Sequence, residues 1–169
     1  MEDDLAEFCR SEHRRLVASL ALLCGSLPMA EDLAQETLAR VCRDWKRIRQ
    51  LDAPGAYAHR IAVNLATSAF RRRSAEKRAR VRMGPVDTIS AEPDSATAIA
   101  VREGLQRLRP DQRKVLVLRY FLGYSVAETA EVLGQPVGTV KTHAHRGLAA
   151  LREALGTSVT SEEGEVRHA

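Results

Sequence analysis

Apolar residues recur at helical spacing in both halves of the chain, and the breaks between them mark where helices turn. Leu16, Leu20 and Leu23 follow one another along one helix face until Gly25, Ser26 and Pro28 interrupt, which predicts a helical hairpin. In the next helix Leu38, Val41, Cys42 and Trp45 stand at i, i+3, i+4 and i+7, opposite a polar face of Asp32, Gln35, Glu36, Arg40 and Arg43. Asp52 as a cap and Pro54 in the first turn open a third helix, where Pro loses nothing by lacking an N–H. That helix turns Tyr57, Ile61 and Leu65 inward and Arg60, Asn64, Thr67 and Arg71 outward, at i, i+4, i+7 and i+11. Periodicity fails between about residues 74 and 94, where Gly84, Pro85 and Pro93 mark a linker.

Helical spacing resumes with Val101, Leu105 and Leu108, stops at Pro110, and restarts at Asp111 with Val115, Leu116 and Leu118 leading to Phe121. A short helix over 125–133, a turn at Gly134, Gln135 and Pro136, and a longer helix over 137–155 complete the pattern, and the polar tail beyond is expected to fray. The expectation is an all-α chain of two small helical domains joined by a flexible linker. The last two helices, with a three-residue Gly-containing turn between them, have helix-turn-helix spacing. In that geometry the first helix braces on the DNA backbone and the second enters the major groove. Val140, Ala144, Leu148 and Leu151 are placed to face inward, while Thr139, Lys141, Thr142, His143, His145 and Arg146 are offered to DNA. Arg146 suits bidentate reading of guanine, and Lys141 and Thr139 suit phosphate. No acid lies between Val137 and Arg152 to repel the duplex.

Composition supports helices: among 169 residues 44% are hydrophobic, but only 4% are aromatic, so the residues that favour strands are scarce. The net charge of +4 hides a strong asymmetry. Five acids against Arg10 occupy residues 1–12, whereas Arg71, Arg72, Arg73, Lys77, Arg78, Arg80 and Arg82 cluster around Glu76 and would attract a phosphate backbone. No apolar run is long enough to span a membrane and the acidic start is unlike a signal peptide, so a cytoplasmic protein without membrane insertion is expected. Cys9, Cys24 and Cys42 have no zinc-site spacing and read as buried reduced thiols.

The segment LRPDQRKVLVLRYFLGYSVAETAEVLGQPVGTVKTHAHRGLAALRE resembles the promoter-reading region 4 of the sigma-70 family of RNA polymerase subunits. The match is carried by Leu-Arg-Tyr-Phe, Ser-x-x-Glu-x-Ala-x-x-Leu-Gly and Val-Gly-Thr-Val-Lys-Thr. Residues 30–37, AEDLAQET, and 56–65, AYAHRIAVNL, resemble region 2 of the extracytoplasmic-function (ECF) group of that family.

The resemblance implies a sigma region 2 helical bundle over 1–80, a linker over 81–94, a sigma region 4 helix-turn-helix over 95–156 and a tail over 157–169. It implies that Asp32, Gln35, Glu36 and Arg40 face the clamp helices of the largest subunit of core RNA polymerase. Arg60, Asn64, Thr67 and Arg71 would contact the -10 element as single strands form, beside a pocket-forming loop over 48–53. Thr139, Lys141, Thr142, His145 and Arg146 would contact duplex DNA at the -35 element. An anti-sigma partner is implied as well. This chain has Tyr57 and His59 where the family commonly has an aromatic pair, which leaves its preferred promoter sequence open.

His13, His59, His143, His145 and His168 form no metal-ligand set, and phosphate loop, nucleophile elbow and dinucleotide fingerprint are absent from the sequence. No catalytic residue, metal or cofactor is therefore expected, and the chemistry is left to the polymerase. A helix-turn-helix repressor or activator acting without polymerase is the alternative, and it predicts palindromic binding by a dimer.

Overall fold

The computed structural model describes the backbone of residues 2–79 and 96–165, and the side chains of 3–73 and 96–156. Among them every regular element is helical. The predicted linker over 81–94 lies outside the described residues. Helices α1 (Glu2–Cys24) and α2 (Leu27–Arg43) form the first hairpin. At their junction Gly25 has φ +68°, a left-handed conformation that Gly adopts without steric cost. A single turn, α3 (Trp45–Ile48), precedes α4 (Pro54–Ala79). Ala53, rather than Asp52, takes the cap position of α4, its carbonyl accepting the Tyr57 N–H at 3.2 Å.

The buried faces follow the predicted spacing with informative shifts. Leu16, Leu20 and Leu23 are buried, and Trp45 packs on Phe8 with ring centroids 4.9 Å apart. Cys42, placed on the apolar stripe by spacing, is exposed; the stripe of α2 runs instead through Ala30, Ala34, Thr37 and Val41. On α4 the fully buried positions are Ala58, His59, Ala62, Val63, Ala66 and Ala69, with Tyr57, Ile61 and Leu65 half-buried beside them. Small residues at the centre let α4 approach α1 and α2 closely, so the larger side chains are displaced to the flank of the contact.

The second half comprises α5 (Ala96–Arg107), α6 (Pro110–Leu116), α7 (Val126–Leu133) and α8 (Val137–Glu165). Between α6 and α7 the chain makes a π-helical turn over Val117–Phe121, with Leu122 N–H bonded to Val117 O at 3.0 Å. The wider turn leaves Tyr120 and Phe121 on the surface, where even spacing had carried the apolar pattern as far as Phe121. The last helix continues past the predicted end at 155, because no Pro follows and Gly156 weakens a helix by only about 1 kcal/mol.

The two halves share a core. Leu16, Leu20, Leu23, Ala62 and Ala66 from the first pack in one cluster with Val117, Leu118, Leu122 and Val132 from the second. Arg113 of α6, 8% exposed, donates from Nη1 to the Leu23 carbonyl at 2.7 Å and to Gln106 Oε1 at 2.8 Å. From Nη2 it donates to the carbonyls of Gln106 and Leu108. Gln106 in turn donates to the Leu22 carbonyl at 2.8 Å. The last carbonyls of α1, left without partners by helix geometry and carrying the negative end of its dipole, are thus met by an amide and a cation from the other half.

Candidate nucleic-acid interface

The helix-turn-helix is built locally. Ser125 Oγ accepts the Glu128 N–H at 3.1 Å and Glu128 Oε2 accepts the Ser125 N–H at 2.7 Å, a reciprocal cap that starts α7. Hydrogen bonding to the side chain and backbone N–H of Ser125 holds the Glu128 carboxyl below its ordinary pKa. Gly134, at φ +61°, ends α7 in the left-handed conformation, and Pro136 carbonyl bonds to Thr139 and Val140 open α8. Val140 is fully buried and packs with Val115 and Ala130, which fixes the rotation of α8 about its axis.

That rotation exposes Lys141, Thr142, His145 and Arg146, with Thr139 half-buried beside them. The Thr142 hydroxyl donates to the Gly138 carbonyl at 2.9 Å. Lys141, His145 and Arg146 have no ion-pair partner among the described residues, so the charges of Lys141 and Arg146 and the donors of all three are available to an anionic ligand.

On α4, Arg60, Asn64 and Arg71 are exposed in one row. Thr67 lies in that row but is half-buried, its hydroxyl donating to the Val63 carbonyl at 2.8 Å. At one end of the row is a hollow of about 180 Å³ lined by Leu51, Ala53, Tyr57 and Arg60, where the sequence places a pocket-forming loop. Glu128, Glu131 and Val132 of α7 close its other side. Tyr57 is oriented by Arg47, whose Nη2 donates to the phenol oxygen at 2.7 Å. At the other end Thr67 and Arg71 border a cavity of about 360 Å³ shared with Asp111, Arg113 and Lys114 of α6. The second half of the chain therefore brings Glu128 and Glu131 against one end of the α4 row, and against the other an Asp111 paired with Lys114 at 2.8 Å beside Arg113.

His59, which stands in for one member of the family's aromatic pair, faces away from this row. It is 1% exposed, and its Nδ1 lies 2.9 Å from both the Gly55 carbonyl and the Tyr124 hydroxyl, the latter in the other half. A protonated Nδ1 donates to the carbonyl, and a bare one accepts from the phenol. Burial, above all, pushes the imidazole pKa down to about 4, and the Tyr124 phenol up to about 12.

Asp32, Gln35 and Glu36 form an exposed row on α2, and Arg40 is half-buried next to it. Arg40 Nε and Glu36 Oε1 are 2.8 Å apart, so this face carries an internal ion pair one turn long. No group of three or more His, Cys, Asp and Glu among the described residues is arranged to hold a metal ion. No described helix is long and apolar enough to cross a membrane. Sequence reasoning passed over Arg113, Gln106 and Tyr124, whose roles arise only when the two halves meet. It also missed the approach of Cys9 to Cys42 across 33 positions.

Fold and surface together define a two-module helical protein with a helix-turn-helix DNA-binding unit at its C-terminal end. Family models for sigma-70 region 2 and sigma-70 region 4 match residues 10–76 and 98–151. The chain is 34% identical to the RNA polymerase sigma-E factor of Streptomyces coelicolor, across 90% of this chain and 86% of that protein. It is 34% identical to the ECF RNA polymerase sigma factor SigM of Mycobacterium tuberculosis, across 87% of this chain and 74% of that protein. Among solved structures it resembles the sigma factor RpoE in complex with the anti-sigma factor NepR from Bartonella quintana. There the TM-score is 0.80 at 25% identity, over 90% of this chain and 97% of that one. The chain belongs to the sigma-70 family, in its ECF group.

Proposed function

We propose that this RNA polymerase sigma factor divides its work between the two modules as follows. Residues 1–80 hold core polymerase and open the promoter, 95–156 read duplex DNA, 81–94 connect them, and 157–169 form a polar tail. Asp32, Gln35, Glu36 and Arg40 seat against the clamp helices of the largest subunit. Arg60, Asn64, Thr67 and Arg71 contact the -10 element as it melts. Thr139, Lys141, Thr142, His145 and Arg146 contact the -35 element. The chain acts in the cytoplasm, needs no cofactor and supplies no catalytic group, leaving phosphoryl chemistry to the polymerase. The observation that carries this reading is the set of exposed, unpaired Lys141, His145 and Arg146 on the second helix of a helix-turn-helix.

Glu128 and Glu131 border the Arg60 end of the α4 row, and carboxylates there repel phosphate. The closed packing of the two modules is accordingly a resting form that separates before DNA binds, and an anti-sigma partner acts by prolonging it. Binding to core polymerase tests the assignment of α2. Glu36→Lys breaks the pair with Arg40 and reverses charge on an exposed position, so it is expected to weaken affinity for core about tenfold or more with helix content unchanged. Unchanged affinity of the folded variant would remove Glu36 from the interface. A palindromic footprint by the chain alone, unaffected by core polymerase, would favour a conventional repressor.

A further inference from the structure

We infer that Cys9 and Cys42 form a dithiol modification site, which a peroxide converts to an intramolecular disulfide joining α1 to α2. The two sulfurs lie 3.9 Å apart although the residues are 33 positions apart in the chain. A bonded pair sits at about 2.0 Å, so closure needs a movement of about 2 Å, a distance that side-chain rotation supplies. Just beyond the pair, α1 is held to α3 and the turn after it, which follow α2 directly. Phe8 packs on Trp45 at 4.9 Å between centroids, and Asp4 Oδ2 meets Arg49 Nη2 at 3.2 Å. Neither thiol is spent on packing the interior: Cys42 is exposed and Cys9 half-buried, whereas Cys24 is buried in the shared core.

The exposure of Cys42 makes it the first sulfur to react. Its thiolate attacks one peroxide oxygen, the S–O bond forms, the O–O bond breaks and hydroxide leaves, giving a sulfenic acid. The Cys9 sulfur then attacks the Cys42 sulfur; the S–S bond forms, the S–O bond breaks, and the hydroxyl leaves with the Cys9 proton as water. In sum two thiols are oxidised and one peroxide is reduced to two waters. Burial and the neighbouring Cys42 push the Cys9 thiol up to about 11, which keeps it protonated and leaves the attack on peroxide to Cys42; Cys9 gives up its proton as it attacks in the second step. The resulting crosslink ties the acidic start of α1 to α2, on the side of α2 reached seven residues after Gln35.

The test uses the full chain, reduced, then exposed to a few-fold molar excess of hydrogen peroxide and analysed without reductant. The expected result is a mass loss of about 2 Da and a fall in titratable thiols from three to one. Peptide mapping should recover a Cys9–Cys42 link that reductant dissolves. Cys24→Ser should form the same link, and Cys42→Ser, altered at an exposed position, should form no intramolecular link. The inference is overturned if three thiols remain, if Cys42 only gains oxygen, if the link involves Cys24, or if the product is a disulfide between two chains.

Discussion

His59 shows how one side chain ties the fold to pH. Its imidazole is neutral in the closed molecule because burial lowers the pKa from 6.5 to about 4. An unfolded chain takes up the proton near the ordinary value, so between those two pH values the unfolded state binds more protons and stability rises with pH. The contribution is complete above about pH 6.5 and is lost progressively as pH falls towards 4, by about 3 kcal/mol in all. Urea denaturation at pH 7.5 and pH 5 should differ by about 2 kcal/mol from this residue. His59→Gln should narrow the gap between the two midpoints, and an unaltered gap would place the pH dependence elsewhere. Arg113 and Cys24 add to the same boundary, a buried cation and a buried thiol whose pKa rises to about 11.

At the scale of elements, the α1–α2 turn carries more than a change of direction. Gly25 has φ +68°, and a Cβ there would stand 2.7 Å from Oε1 of Gln106, a side chain already held by Arg113 and the Leu22 carbonyl. Gly25→Ala is expected to cost about 2 kcal/mol, read as a lower denaturation midpoint, because backbone strain and the displaced amide act together. A loss below about 0.5 kcal/mol would mean that Gln106 moves away freely.

Helix existence was legible from hydrophobic spacing, and so was the Gly134 turn of the helix-turn-helix. The exact buried stripe of α4 was not, because Ala58, Ala62 and Ala66 matter by their small size whereas pattern reading follows large side chains such as Tyr57 and Ile61. The π-helical turn escaped for a related reason: one wider turn shifts phase within five residues, and Val-Leu-Arg-Tyr-Phe has no residue that announces it.

For the whole molecule the main lesson is the closed packing of its halves. Each polar row was visible in sequence from its spacing, but the partners of α1 were not, since Arg113 and Leu23 are 90 positions apart. A factor that binds promoter only when open loses apparent affinity in proportion to the closed fraction, and polymerase or DNA recovers it by favouring the open form. Two modest DNA contacts in one chain then reinforce each other through effective concentration. Arg146→Ala should therefore lower transcription mainly on templates that retain the upstream element, by about tenfold, matching about 1–3 kcal/mol for a bidentate base contact. Equal loss on templates lacking that element would reassign Arg146. The most direct measurement is transcription of genomic DNA in vitro by core polymerase from the source organism, with and without the chain, followed by mapping of RNA 5′ ends. A sigma factor with this division of labour should create new start sites that share two upstream sequence blocks at constant spacing. Start sites identical with and without the chain would contradict it.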